Sequence, residues 1–293
     1  MKLTTQPEAG IAPMLDAIRK ARKSVDIVIF RLDIPDVVDA LAAAVARGLA
    51  VRALVAHTNR GGEKTLRKLE MRMLEAGVTV SRSADDLVRY HAKLMIIDGR
   101  TAHVHGFNCT RLDVEKSRSF GIATSNRAVV QDALKLFQAD CDRQPYTSTC
   151  EQLIVSPENS RTRLSAFIKA AKRQLLIYDP DVSDARMIRL LIERQQAGVD
   201  VRIIGKARIG PEVPVQRYRG RRLHARAILR DGSRAFVGSQ SLRGLELDRR
   251  REVGILVADK RVVRQIMDVF EADWAQTPAA VAPPAVETAE PAA

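Results

Sequence analysis

The chain has 293 residues, 46% hydrophobic and 28% charged, with 48 Lys and Arg against 35 Asp and Glu for a net charge of +13. That apolar fraction excludes wholesale disorder, and the length suits one large domain or two of roughly 140 residues, either of which buries a core without disulfides or structural metal. Three cysteines, Cys109, Cys141 and Cys150, with no CxxC pair, exclude a disulfide scaffold and a four-cysteine zinc site.

The cysteine usage fits a reducing compartment. The opening MKLTTQPEAG has no apolar signal core, and no stretch approaches the roughly 18 apolar residues of a membrane span. The expectation is a cytoplasmic protein. Its charge favours polyanionic partners, nucleic acid or an anionic lipid surface. Aromatics, at 4%, argue against base-stacking platforms and an interfacial belt.

One order of elements occurs twice. Ile11–Lys23 has apolar residues at helical spacing, Val25–Phe30 is an apolar strand, Asp36–Gly48 a helix stopped by glycine, and Val51–Val55 a buried strand. In the second half Ser160–Arg173 is a helix capped by Asn159 or Ser160, followed by strand Leu175–Tyr178. Helix Ser183–Gly198 and strand Val201–Ile204 complete the copy. Ser24–Gly48 aligns on Gln174–Gly198 without gaps, and the first half adds a helix at Glu63–Ala76. Alternating strands and helices imply α/β units whose mixed, mostly parallel sheets are flanked by helices. The expected domains are 1–146 and 147–276, joined near Asp140–Gln152, with 277–293 an Ala/Pro-rich disordered tail.

A second block of the repeat carries chemistry. His91-Ala-Lys93 with Asp98-Gly99 faces His224-Ala-Arg226 with Asp231-Gly232, each with an apolar run between. Histidine and cation at i and i+2 share one strand face, and Asp-Gly reads as a hairpin turn. A cation beside an imidazole suits phosphate chemistry: the cation holds the anion while histidine attacks phosphorus or moves a proton.

These residues resemble the phospholipase D superfamily, whose signature is HxK(x)4D followed by a glycine–serine turn and an asparagine. The first copy, H91AKLMIIDGRTAHVHGFN108, has the His, Lys, Asp and Asn but carries His105-Gly106 at the turn. The second, H224ARAILRDGSRAFVGSQS241, keeps Gly238-Ser239 but has Arg226 for lysine and Ser241 for asparagine. The likeness runs from about Ile11 to Trp274.

The resemblance implies two duplicated phospholipase D-type domains with one site at their pseudo-twofold interface, so that a monomer holds a complete site. One histidine attacks the phosphodiester and forms a phosphohistidine; the other protonates the leaving group and later activates water or an acceptor alcohol. Lys93, Arg226, Asn108, Ser239 and Ser241 stabilise the charge on the non-bridging oxygens, and no metal or other cofactor is needed. His91 is taken as nucleophile and His224 as acid. Glu252 matches the position of a histidine-orienting carboxylate; its counterpart, Ser119, cannot serve, which leaves Asp113 or Glu115. Asp98 and Asp231 are expected to organise the site by pairing with cations or backbone. His105 is a candidate substrate contact, and His103 reads as a strand residue.

Arg217–Arg222 and Arg249–Arg251 read as basic approaches to the second motif, against the plainer reading of solvated edges. The expected function is a phospholipase D-type phosphodiesterase that hydrolyses or transfers phospholipid headgroups at an anionic membrane surface without spanning it. The rivals are a metal-independent nuclease of the same superfamily and a non-catalytic anion-binding protein.

Overall fold

The structure is a computed structural model that describes residues 1–58 and 63–276. The first half comprises β1 (Lys2–Gln6), α1 (Ala12–Lys20), β2 (Ser24–Ile29), α2 (Pro35–Ala46), β3 (Ala50–Val55), α3 (Glu63–Glu75), β4 (Thr79–Arg82), β5 (Arg89–Tyr90), β6 (Leu94–Ile97), β7 (Thr101–His105), α4 (Arg111–Lys116), β8 (Ser117–Thr124) and α5 (Arg127–Asp142). The second half repeats this order with one helix fewer. It comprises β9 (Leu153–Ser156), α6 (Ser160–Lys169), β10 (Gln174–Val182), α7 (Ala185–Gln196), β11 (Asp200–Ala207), β12 (Val215–Gln216), β13 (Arg222–Leu223), β14 (Ala227–Arg230), β15 (Arg234–Gly238), α8 (Gly244–Asp248), β16 (Arg250–Val257) and α9 (Lys260–Gln276). The expected tail, 277–293, lies outside the described residues.

Each half builds most of one eight-stranded mixed sheet flanked by helices, as the repeat implies. The orders are β1-β8-β7-β6-β2-β3-β4 and β12-β11-β10-β14-β15-β16-β5, with β13 added beside β8 and β9 beside β16. The sheets are less parallel than expected. Parallel ladders are confined to β2-β3-β4, β10-β11-β12 and the two-residue strands, while β6-β7-β8 and β14-β15-β16 run antiparallel. The cause is local. Asp98 and Gly99 at φ 56 and 60, and Asp231 and Gly232 at φ 54 and 66, form tight turns that can only join antiparallel neighbours.

The same aspartates fix where helices stop. Asp98 accepts hydrogen bonds from the backbone N–H groups of Arg22, Lys23 and Ser24, and Asp231 from those of Lys172, Arg173 and Gln174. These donors are therefore lost to the helices, so α1 ends at Lys20 and α6 at Lys169, short of the expected Lys23 and Arg173. At α6 the Asn159 side chain accepts from Val155 N–H instead of capping the helix.

Apolar side chains sort the layers. One core lies between the sheets and takes in β6, β14, α5 and α9; a second lies under α1, α2 and α3, and a third under α6 and α7. All four residues of β6 are buried, which at about 1.5–3 kcal/mol per large aliphatic side chain makes it a principal anchor.

Two short strands cross from one half to the other. β5 pairs in parallel with β16 of the second sheet, and β13 pairs with β8 of the first. Each chain then returns to its own sheet within three residues. His91 N–H donates to Arg251 O at 2.8 Å, whereas Lys93 O accepts from His105 N–H at 2.9 Å. Likewise His224 N–H donates to Arg118 O at 3.0 Å and Arg226 O accepts from Gly238 N–H at 3.1 Å. The histidine–cation motifs thus bridge the gap between sheets instead of lying within one strand. Glycine is required where the halves touch, because a Cβ on Gly106 would stand 2.9 Å from Gly238 O.

Candidate active site

The crossings bring both motifs into one buried, charged centre. His91, Lys93, His224 and Arg226 are all buried, although Lys and Arg rarely are. The charges of Lys93, Arg226 and Arg250 act on His91, and those of Arg226, Arg222 and Lys93 on His224, so each histidine feels the cation of the other motif.

His91 is held by the opposite half. Its Nδ1 lies 2.9 and 2.8 Å from the two Glu252 oxygens, and its ring meets Phe30 edge-on at 4.5 Å between centroids. Phe30 also carries Lys93 Nζ 5.5 Å above its ring, and Lys93 donates to His91 O at 2.5 Å. Burial, then the charges of Lys93 and Arg226, hold the His91 pKa well below its ordinary value. Burial likewise pushes Lys93 down to about 7 and Glu252 up to about 7, the latter opposed by Lys93. Ser239 Oγ accepts from Val253 N–H at 3.1 Å and donates to Val253 O at 3.2 Å, beside Glu252 on the same strand.

His224 is held differently. Its Nδ1 makes no hydrogen bond and stands 3.4 Å from Asp113 Oδ2. Asp113 Oδ2 accepts from both Asn108 N–H and Asn108 Nδ2 at 2.7 Å, and Oδ1 accepts from Arg222 at 2.5 Å. In the second half Glu246 takes the corresponding place: it accepts from Ser241 N–H at 2.7 Å and from Arg250 at 3.0 Å. Arg226 donates to His224 O at 3.0 Å and to Ser241 Oγ at 3.1 Å. Burial, followed by Arg226 and Arg222, keeps the His224 pKa well below its ordinary value. Asn108 Oδ1 and Ser119 Oγ are buried without a hydrogen-bond partner, two polar atoms open to a ligand beside the motifs.

The structure corrects several expected placements. Glu252, read beside the second motif, orients the histidine of the first. Asp98 and Asp231 pair with backbone, as expected, but not in the site. At about 3.3 Å per residue Asp98 lies on the order of 16 Å along β6 from Lys93, at the strand's far end. Arg250 and Arg251 are not a basic approach: both are buried, Arg250 on Glu246 and Arg251 on Asp140 and Glu158. Of that run Arg249 alone is exposed. Arg217, Arg219, Arg221 and Arg222 are exposed, and Arg222 leads directly into His224. His105 is buried, stacked on Phe107 at 4.8 Å, and burial drives its pKa down to about 3.

Phe30 and Glu246 were not singled out as site residues, and Arg222 was read only as part of the basic approach. A signal existed for Glu246. Asp113 and Glu246 occupy equal places in the repeat, each preceded by leucine and each soon after the motif's last residue, Asn108 or Ser241. Phe30 had none, because an aromatic in an apolar strand reads as core.

Residues 14–141 match the family model described as "Cardiolipin synthase, PLD-like domain". Across nearly the whole chain the fold is similar to polyphosphate kinase from Porphyromonas gingivalis, with TM-score 0.78, 20% identity, 93% of this chain covered and 50% of that one. The matched part of the chain, residues 14–141, is similar to a phospholipase D-like domain. The fold is also similar to phosphatidylserine synthase from Haemophilus influenzae, with TM-score 0.72, 10% identity, 95% of this chain covered and 87% of that one. Polyphosphate kinase of Pseudomonas aeruginosa is 24% identical over 303 residues, covering 92% of this chain and 44% of that protein. The chain therefore spans less than half the length of that relative. Among the described residues no helix is long and apolar enough to cross a membrane.

Proposed function

We propose that this chain is a phosphotransfer enzyme that cleaves a phosphate ester or anhydride through a covalent intermediate on His91. The observation that carries the reading is the Glu252–His91 hydrogen bond inside a centre shared by both motifs. A carboxylate accepting from Nδ1–H leaves the lone pair on Nε2 and stabilises the charge that imidazole gains on attack. In the first step the Nε2–phosphorus bond forms, the phosphorus–oxygen bond breaks, and His224 gives its proton to the leaving oxygen. In the second, water or an acceptor hydroxyl gives its proton to His224, bonds to phosphorus and releases His91. Lys93, Arg226 and Asn108 Nδ2 face the non-bridging oxygens, where fixed cations lower the barrier most.

The basic approach supports a chain-like polyanion as substrate. Asp85 and Asp86 precede the first motif where Arg217 and Arg219 precede the second, and all four are exposed, so the approach to the second motif is the basic one. A polyphosphate or nucleic-acid backbone would lie along the Arg217–Arg222 side, and relatives named polyphosphate kinase are similar over most of this chain. A second reading, transfer of a phospholipid headgroup, is favoured by the family model's own description.

The test is turnover in excess EDTA of polyphosphate with ADP, plasmid DNA and labelled phosphatidylglycerol, with His91→Ala and His224→Ala alongside. Turnover lost in both variants, with an acid-labile phosphohistidine trapped in the unaltered protein, supports the reading. Silence on all three substrates overturns it, and the substrate that reacts selects the class.

A further inference from the structure

We infer that Asp113 is the positioning carboxylate of His224, withheld by Arg222 in the free protein and released when an anionic substrate engages that arginine. The inference rests on the acid role of His224 proposed above.

The duplication leaves His224 without the partner that His91 has. Ser119 occupies the place of Glu252, and its hydroxyl is buried with no hydrogen bond. No carboxylate but Asp113 comes within 4 Å of His224 among the described residues, and the 3.4 Å from Oδ2 to Nδ1 is too long for a good hydrogen bond. Both Asp113 oxygens are engaged elsewhere, Oδ2 by Asn108 and Oδ1 by Arg222. His224 otherwise faces cations, Arg226 and Arg222 from its own segment and Lys93 from the other motif, with the His91 imidazole beside them. An imidazole in that field sheds its proton, which a general acid must keep.

An anionic substrate resolves the conflict. The Arg222 side chain is 42% exposed while Asp113 is 2% exposed, so an incoming phosphate reaches the arginine and not the aspartate. Arg222 also closes the run Arg217, Arg219 and Arg221, the path along which a polyanion would arrive. A phosphate on Arg222 competes with Oδ1 and offsets the surrounding cations. Asp113 is then free to close the few tenths of an ångström to His224 Nδ1, and the proton is held where it is needed.

The test has two arms. In 15N-histidine NMR, tungstate as a tetrahedral oxyanion raises the His224 pKa in the unaltered protein, and Asp113→Asn leaves only the smaller rise due to the anion's own charge. Arg222→Gln raises the His224 pKa without tungstate. An unmoved His224 in the unaltered protein, or a rise of equal size in Asp113→Asn, overturns the inference whether or not the chain is active. In kinetics, bis(p-nitrophenyl) phosphate loses a stable anion and needs no acid, whereas diphenyl phosphate does. Asp113→Asn should cost diphenyl phosphate about 100-fold and the nitrophenyl ester little, with Asp113→Glu restoring part. Equal loss on both substrates assigns Asp113 a merely structural role through Asn108. An inactive protein with the NMR response intact sinks the acid reading of His224 while leaving the pairing in place.

Discussion

Glu252 and His91 lie 161 residues apart in the chain and hydrogen-bond at 2.8 and 2.9 Å. The carboxylate comes from β16 of the second half and the imidazole from the crossing segment of the first, so neither half contains a complete nucleophile. Glu252→Gln keeps the shape but can donate to Nδ1 and favour the wrong tautomer. Turnover should fall by about 10²–10⁴-fold, with the trapped phosphohistidine falling in parallel. Unchanged phosphohistidine in Glu252→Gln would remove His91 as nucleophile.

Asp98 separates structure from chemistry. It sits at φ 56 and holds three backbone N–H groups, and those bonds keep its pKa low although burial opposes them. Asp98→Ala loses the charged acceptor and strains the turn, costing about 2–4 kcal/mol. The urea midpoint should drop while kcat per folded molecule stays the same. A selective fall in kcat would put Asp98 back in the site.

Arg251 and Arg249 make a paired comparison. Arg251 is 5% exposed and bonded to Asp140 and Glu158, so Arg251→Ala strands the buried Asp140 carboxylate at a cost of about 3–5 kcal/mol. Arg249→Ala, at an exposed position, should stay within about 0.5 kcal/mol of the unaltered protein. Equal effects in thermal unfolding would contradict the burial of Arg251.

His105 sets a pH dependence. Burial, then the charge of His103, lowers its folded pKa to about 3 from an ordinary 6.5. The folded state binds the proton less tightly than the unfolded chain, so this contribution is complete above pH 6.5 and declines as pH falls towards 3. Between pH 6.5 and 5 the loss is on the order of 2 kcal/mol. His105→Gln should therefore flatten the stability profile over that interval, measured by urea unfolding at fixed steps of pH. An unchanged slope would mean that His105 titrates normally.

The duplicated order of elements, the extra first-half helix and both Asp-Gly turns were legible because each is written in local residue types: apolar period, glycine stops, left-handed turn formers. Helix ends were not, because the Asp98 and Asp231 carboxylates that claim the next N–H groups lie far along the chain. The run Arg249–Arg251 was misread for a similar reason. Charge reads as surface until a fold supplies Glu246, Asp140 and Glu158 beneath it.

By itself the sequence determined that the chain is built twice and that each copy carries one histidine–cation pair, since spacing and repetition need no third dimension. Tertiary structure decided which carboxylate serves which histidine. The two-residue strands β5 and β13 pair with the opposite sheet, so the peptide N–H of each histidine is bonded to the other half. Glu252 therefore meets His91, and His224 is left with Asp113. A pairing made through hydrogen bonds between halves leaves no trace in the spacing of residues within either one.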